Sequence, residues 1–289
     1  MPRPVRIATC TLETDFKTSA RAQALQLVDE AGRRGADIVC LPEYAAAEHG
    51  ADGRWVPAAV PGPVVEEFAA LAARHRIWTI VPLIEANAGG KPWNTAVLLD
   101  RCGAIAGRYR KTHLCMPEFE EGESLAAGDA VPVFKTDFGT IGLTLCMDLH
   151  YPELYTTLAL RGAEIIFWSS GAMDYTGDAI ESLVKARALD AQVYFVCSHQ
   201  LETPYLAGRP YGRSRIVDCM GRIRADTGHF PGVALAEVDL EQTYPTWYTG
   251  AMQQAYPDFR AALFRTRRPE LYGEVVQPVV PAHFRRDGP

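Results

Sequence analysis

Residues 5–11 open the chain with a strand pattern. Phe16, Ala20, Ala24, Leu27, Val28 and Ala31 then fall at helical spacing, and Gly35 closes that helix. Ile38, Val39, Cys40 and Leu41 form a short unbroken apolar run, the pattern of a strand buried on both faces. Pro42 stops the run, and Glu43 follows directly. After Pro61, Gly62 and Pro63 the pattern predicts a helix over 64–75 and a strand over 77–84. Residues 94–99 and 104–109 predict a hairpin turned at 100–103, with Lys111 just beyond it. Segment 112–130 carries Pro, Glu and Gly without a period and reads as a functional loop.

The second half repeats this alternation. Strands are predicted over 131–134 and 140–145, and Cys146 ends the latter. Pro152 opens a helix to about residue 161, as proline suits a first helical turn. A strand over 164–168, a helix over 178–190 and a strand over 193–198 follow. Residues 214–218, 222–225 and 233–238 complete the sheet structure. Helices placed between strands imply helical outer layers around mixed sheet, hence one α/β domain over 1–240. The tail 241–289, rich in Tyr, Trp, Pro and Arg, is expected to pack on the body or on a partner subunit.

Composition narrows the function classes. Apolar residues at 48% and charged residues at 22% match a folded globular chain and exclude disorder as the main state. A net charge of −6 without a basic run argues against nucleic acid or an anionic membrane surface as partner. No run approaches the ~18 apolar residues of a membrane span. No signal-like apolar region follows Met1, so the expected location is cytoplasmic. The seven cysteines are widely spaced with no Cys-x-x-Cys, so six are expected in the core and none in a zinc site. P-loop, dinucleotide and His-Glu-x-x-His patterns are missing too, so no metal or cofactor is expected.

Three reactive residues share one setting. Glu43, Lys111 and Cys146 each follow an apolar strand, where α/β sheets bind ligands. If those strands are parallel neighbours, the side chains converge. A carboxylate raised by burial can take the thiol proton, and an ammonium can stabilise first the thiolate and then an oxyanion. The Met147 N–H offers a second oxyanion donor. Taken singly, each has a plainer reading: a cysteine ending a strand is usually core, and a Glu or Lys after a strand is usually solvated.

The combination is more specific. Leu41-Pro42-Glu43-Tyr44, Tyr109-Arg110-Lys111-Thr112-His113-Leu114 and Leu145-Cys146-Met147-Asp148-Leu149-His150-Tyr151-Pro152-Glu153-Leu154 resemble the nitrilase superfamily, the carbon–nitrogen hydrolases. Residues 160–164, 186–192 and 212–218 resemble further family segments, and the resemblance spans about 5–240 in order. It implies a four-layer αββα sandwich with Glu43 as general base and acid, Lys111 as oxyanion stabiliser and Cys146 as nucleophile. It also implies a second glutamate between Lys111 and Cys146. Glu121 fits best by its distance from Gly128, with Glu118 and Glu120 as rivals. Gly171 and Ala172 would line the pocket, His150 would face it or bond to backbone, and Asp148 and Glu153 would orient the nucleophile turn. Asn94 reads as a turn residue or structural hydrogen-bonder.

For substrate, the resemblance implies a small linear amide or N-carbamoyl compound. Met147-Asp148 stands where true nitrilases usually show Trp-Glu, and Leu149-His150 stands where carbamoylases show an arginine pair. Nitrile hydrolysis, acyl transfer to another nucleophile, and a catalytically idle binding protein are the alternatives. A homodimer or larger homo-oligomer is the family's usual state.

Overall fold

The computed structural model describes residues 1–13, 20–115, 118, 124–171, 178–201, 212–244, 246–248 and 254–278. Strand β1 (Pro4–Thr11) leads to helix α1 (Arg21–Arg33) and strand β2 (Ile38–Cys40). A small hairpin, β3 (Glu48–His49) and β4 (Trp55–Val56), precedes helix α2 (Pro63–His75). Strands β5 (Trp78–Glu85), β6 (Trp93–Leu99) and β7 (Ile105–Arg110) complete the first half. Then come β8 (Val133–Lys135), β9 (Thr140–Leu145), a 3-10 turn (Cys146–His150) and helix α3 (Pro152–Leu160). After β10 (Ile165–Ser170), helix α4 (Asp178–Ala191) and β11 (Tyr194–His199) follow. Strands β12 (Arg215–Val217), β13 (Ile223–Asp226) and β14 (Gly232–Asp239) close this part of the chain.

Two six-stranded mixed sheets result, in the orders β14-β1-β2-β5-β6-β7 and β13-β12-β11-β10-β9-β8. Side-chain alternation along β1 shows how they stack. Val5 and Ile7 join Leu143, Phe167 and Val196 in a core between the sheets. Ala8 and Cys10 point the other way, into a core with Leu27 and Val28 of α1 and Phe68 of α2. Helices α3 and α4 cover the far side of the second sheet, giving the αββα sandwich. Gly142 marks how closely α3 approaches β9, since an added Cβ would lie 3.1 Å from a Leu158 methyl.

Polar groups stitch the sheets together at one end. Thr9 Oγ1 donates to the Cys197 carbonyl at 2.7 Å, and Ser198 Oγ lies 2.8 Å from Cys10 O and 2.9 Å from Cys40 O. Strands β9, β10 and β11 run parallel and finish at this end. The chain divides into two compact units, Met1–Glu241 and Gln242–Pro289. Within the second, strands β15 (Thr246–Tyr248) and β16 (Gln254–Tyr256) pair antiparallel and helix α5 spans Phe259–Arg265. Asp258 caps α5, accepting from Arg260 N at 3.0 Å.

Three expectations are corrected. Glu43, Lys111 and Cys146 do not follow neighbouring strands: β2 and β7 are separated by β5 and β6, and β9 belongs to the other sheet. Glu43 and Lys111 extend from the first sheet and bond each other, and Cys146 approaches from the second close enough to interact with both electrostatically. The six other cysteines are not all core. Cys10, Cys40 and Cys197 are buried, but Cys115 and Cys219 are half-buried and Cys102 is exposed, because it sits in the β6–β7 turn. Of the two readings of Asn94, the turn residue fails because it lies inside β6, and the hydrogen-bonder holds.

Candidate active site

Sheet register builds the first half of the site. Antiparallel pairing of β6 and β7 puts the Lys111 N–H on the Asn94 carbonyl at 2.9 Å, so the two residues are cross-strand neighbours. Beyond β2, Glu43 and Tyr44 leave the sheet, and Tyr44 turns the chain with a positive φ of 62°. Lys111 Nζ donates to Glu43 Oε1 at 3.0 Å and to Glu118 Oε1 at 3.0 Å, and forms an ion pair with Glu118 Oε2 at 2.9 Å. Asn94 Nδ2 donates to the same two glutamates, at 2.7 Å to Glu43 Oε1 and 3.1 Å to Glu118 Oε1. Tyr44 Oη adds a 2.9 Å bond to Glu118, and the Cys115 N–H adds one of 2.8 Å. Across the sandwich, the Gly171 N–H at the end of β10 donates to Glu43 Oε2 at 2.8 Å.

The nucleophile candidate sits on a strained turn. Cys146 opens the 3-10 turn with φ 41°, a left-handed conformation that costs a non-glycine residue about 1–3 kcal/mol. Asp148 holds that turn. Its Oδ2 accepts from Leu145 N at 2.8 Å and Tyr109 Oη at 2.7 Å, and its Oδ1 lies 2.8 Å from His113 Nδ1. Tyr109, Thr112 and His113 flank Lys111 in sequence, so one carboxylate ties the lysine segment to the nucleophile turn. From outside, Trp168 Nε1 donates to Cys146 O at 2.8 Å and Arg187 Nε to Leu149 O at 2.9 Å. Asp148→Ala strands several buried donors at once. It is expected to cost about 3 kcal/mol of stability and to slow alkylation of Cys146, as read by denaturant unfolding and an iodoacetamide time course. Asp148→Asn, which keeps the shape, should lose less of both.

Electrostatics separate the acids. Burial raises the Glu43 carboxyl above its ordinary range; Lys111 opposes the rise and Glu118 adds to it. Burial acts on Glu118 in the same direction, but the Lys111 charge and hydrogen bonds from Lys111, Cys115 and Asn94 outweigh it and hold Glu118 low. Burial disfavours the Lys111 ammonium, yet its acidic neighbours Cys146, Glu43 and Glu118 keep it well above the usual lysine range. Burial drives the Cys146 thiol well up, Glu43 drives it further and Lys111 counteracts. The resting state is a thiol beside an ammonium and two glutamates. Glu43 and Lys111 are 1% exposed and Cys146 7%, so all three are buried.

The other predicted residues divide. Gly171 is in the cluster through its N–H. Met147 and His150 lie half-buried in the nucleophile turn, and burial together with the Arg187 charge lowers the His150 imidazole. Glu121, Glu120 and Ala172 lie outside the described residues. Besides Glu43, the glutamate on Lys111 among the described residues is Glu118. Glu153 is exposed in the first turn of α3, eight residues past the end of β9. Sequence reasoning undervalued Asn94 and missed Tyr44, although both stand in or beside the segments that carried the resemblance. Among the described residues no group of His, Cys, Asp and Glu could hold a metal ion.

The family model for carbon–nitrogen hydrolases matches residues 6–248. The chain is 34% identical over 285 residues to a human deaminated glutathione amidase, covering 92% of this chain and 81% of that protein. It is 29% identical to an omega-amidase of Xenopus tropicalis, covering 90% and 94% of the two chains. The crystal structure of the C. elegans NitFhit protein superposes with a TM-score of 0.74 at 26% identity, over 93% of this chain and 66% of that one.

Proposed function

The chain belongs to the carbon–nitrogen hydrolase family, and on that premise we propose that it is an amidase cleaving a small linear amide through a thioester on Cys146. The observation that carries this reading is the buried cluster of Glu43, Lys111 and Glu118 in electrostatic contact with the strained Cys146. Both curated relatives are amidases by name, which favours an amide over an N-carbamoyl compound.

The steps follow from the proton inventory. Glu43, ionised, takes the thiol proton as sulfur bonds to the amide carbon. The carbonyl electron pair moves onto oxygen, where Lys111 and the Met147 N–H stabilise it. The oxyanion collapses, the C–N bond breaks, and Glu43 returns its proton to the departing nitrogen. Water then gives a proton to Glu43 and its hydroxyl to the thioester. Sulfur leaves and recovers the proton, and the acid departs. Glu118, surrounded by donors, stays ionised and anchors the ammonium.

This cycle needs Glu43 without its proton at the start. Its carboxyl is raised by burial, so the acid limb of kcat/KM should lie at higher pH than an exposed glutamate would place it. The test of function is an ammonia-release screen over short amides, N-carbamoyl amines and nitriles, with Cys146→Ala as blank. Release from amides supports the reading; release from nitriles alone, or from none, sinks it. Cytoplasmic residence and homo-oligomerisation belong to the same proposal. The exposed apolar side chains Leu271, Tyr272, Val275 and Val276 support association, and light scattering on the full chain reads the assembly state.

A further inference from the structure

The hydrogen bonds around the two glutamates are unequal. Among the described residues, Glu118 takes donors on both oxygens: Tyr44, Asn94 and Lys111 on Oε1 and Cys115 on Oε2, with the Lys111 ammonium also in ion-pair range of Oε2. Glu43 Oε1 is held by Lys111 and Asn94, while Oε2 accepts from the Gly171 N–H. Each carboxylate oxygen has two lone pairs, so among the described residues Oε2 of Glu43 retains accepting capacity that its own Oε1 has spent. One Asn94 amide bridges both acids. Its orientation is forced, since turning it would set its oxygen against two carboxylates. Asn94 Oδ1 accordingly has no hydrogen-bond partner among the described residues although Asn94 is fully buried. Leaving a buried acceptor unpaired is costly, so the bridge is kept against that cost.

We propose that Asn94 is a positioning residue for the amidase reaction: by binding Oε1 of both Glu43 and Glu118 it leaves Oε2 of Glu43 as the oxygen that exchanges the proton with Cys146 and the leaving nitrogen. A neutral donor suits this place. Two anions already face one ammonium, so a third acid would add repulsion, and an apolar side chain would remove a bond from each carboxylate. The charged and titratable groups facing Glu43 are Lys111 beyond β7, Glu118 in the following loop, Cys115 beside it and Cys146 beyond β9, with the Tyr44 hydroxyl on Glu118. The burial that raises Glu43 and the donors that lower Glu118 agree with this division of labour.

The proposal rests on the amidase reading, so the test uses a measurement that needs no amide hydrolysis: displacement of iodide by the thiol. Iodoacetamide alkylation of Cys146 is followed against pH in the full chain and in Asn94→Leu. Loss of a hydrogen bond to ionised Glu43 should move the acid limb of the alkylation rate up by about one pH unit. With an amide substrate, kcat should fall about tenfold while KM stays within roughly twofold. An unmoved acid limb in Asn94→Leu overturns the proposal, whatever happens to the overall rate. If Asn94→Leu does not fold, Asn94→Ser, which keeps one donor, takes its place. A smaller upward shift supports the proposal and an unmoved limb overturns it. Failure of the amidase reading would appear separately, as wild-type protein that is alkylated with this pH dependence yet releases no ammonia.

Discussion

Cys146→Ala is expected to bring amide turnover to background and to eliminate the acyl adduct, with the fold retained. The sulfur forms the covalent bond in the proposed cycle, and no other described thiol occupies the strained turn held by Asp148. Mass spectrometry of substrate-treated protein is the direct check: wild type should gain the acyl mass and the variant should not. Normal turnover by Cys146→Ala would end the mechanism. The backbone supplies a second readout. Alanine keeps a Cβ at φ 41°, whereas glycine adopts that conformation freely. Cys146→Gly should therefore be more stable than Cys146→Ala by about 1 kcal/mol, as measured by denaturant unfolding. An alanine variant as stable as the glycine variant would show that the turn stores no strain.

Lys111→Met is expected to lose activity and stability together. The substitution keeps most of the side-chain volume and removes the only ammonium touching Glu43 and Glu118 among the described residues. The oxyanion loses a charged donor, an effect of roughly a hundredfold or more on kcat. The two buried carboxylates then face each other without a counter-charge. Breaking a buried pair in this way costs about 3–5 kcal/mol. One of the acids should take up a proton, and because Glu43 already lies high and Glu118 low, Glu43 should take it. Stability then depends on pH in a definite sense. In the variant the raised carboxyl binds a proton more tightly folded than unfolded, so stability falls as pH rises through the folded value. Thermal unfolding across pH, with ammonia release on the same samples, tests both halves. An unchanged melting temperature would deny that Lys111 holds the acids together.

Where the chain's periodicity was strong, it was sufficient. The apolar run Ile38–Cys40 is β2, residues 140–145 are β9, and Pro152 opens α3. Alternation and helical spacing survive into tertiary structure because burial of one face imposes them. Short elements were not legible. Strands β3 and β4 are two residues each, and the Cys146–His150 turn is five residues long, too few for any period to appear. Glu118 lies in a stretch without periodicity, and its bond from Lys111 is a contact that no local pattern records.

The sequence by itself determined the alternation of strands and helices and the family, and it singled out Glu43, Lys111 and Cys146 as candidates, because each is written in local order: an apolar run, a stop, and a reactive side chain. Tertiary structure alone decided that Glu43 and Lys111 come from one sheet and Cys146 from the sheet facing it. It also decided that Asn94, Tyr44 and Glu118 complete the cluster. The reason is physical. A buried charge tolerates its site only through partners that satisfy it, and those partners come from whichever strands the sandwich brings face to face, at separations along the chain that no local pattern records.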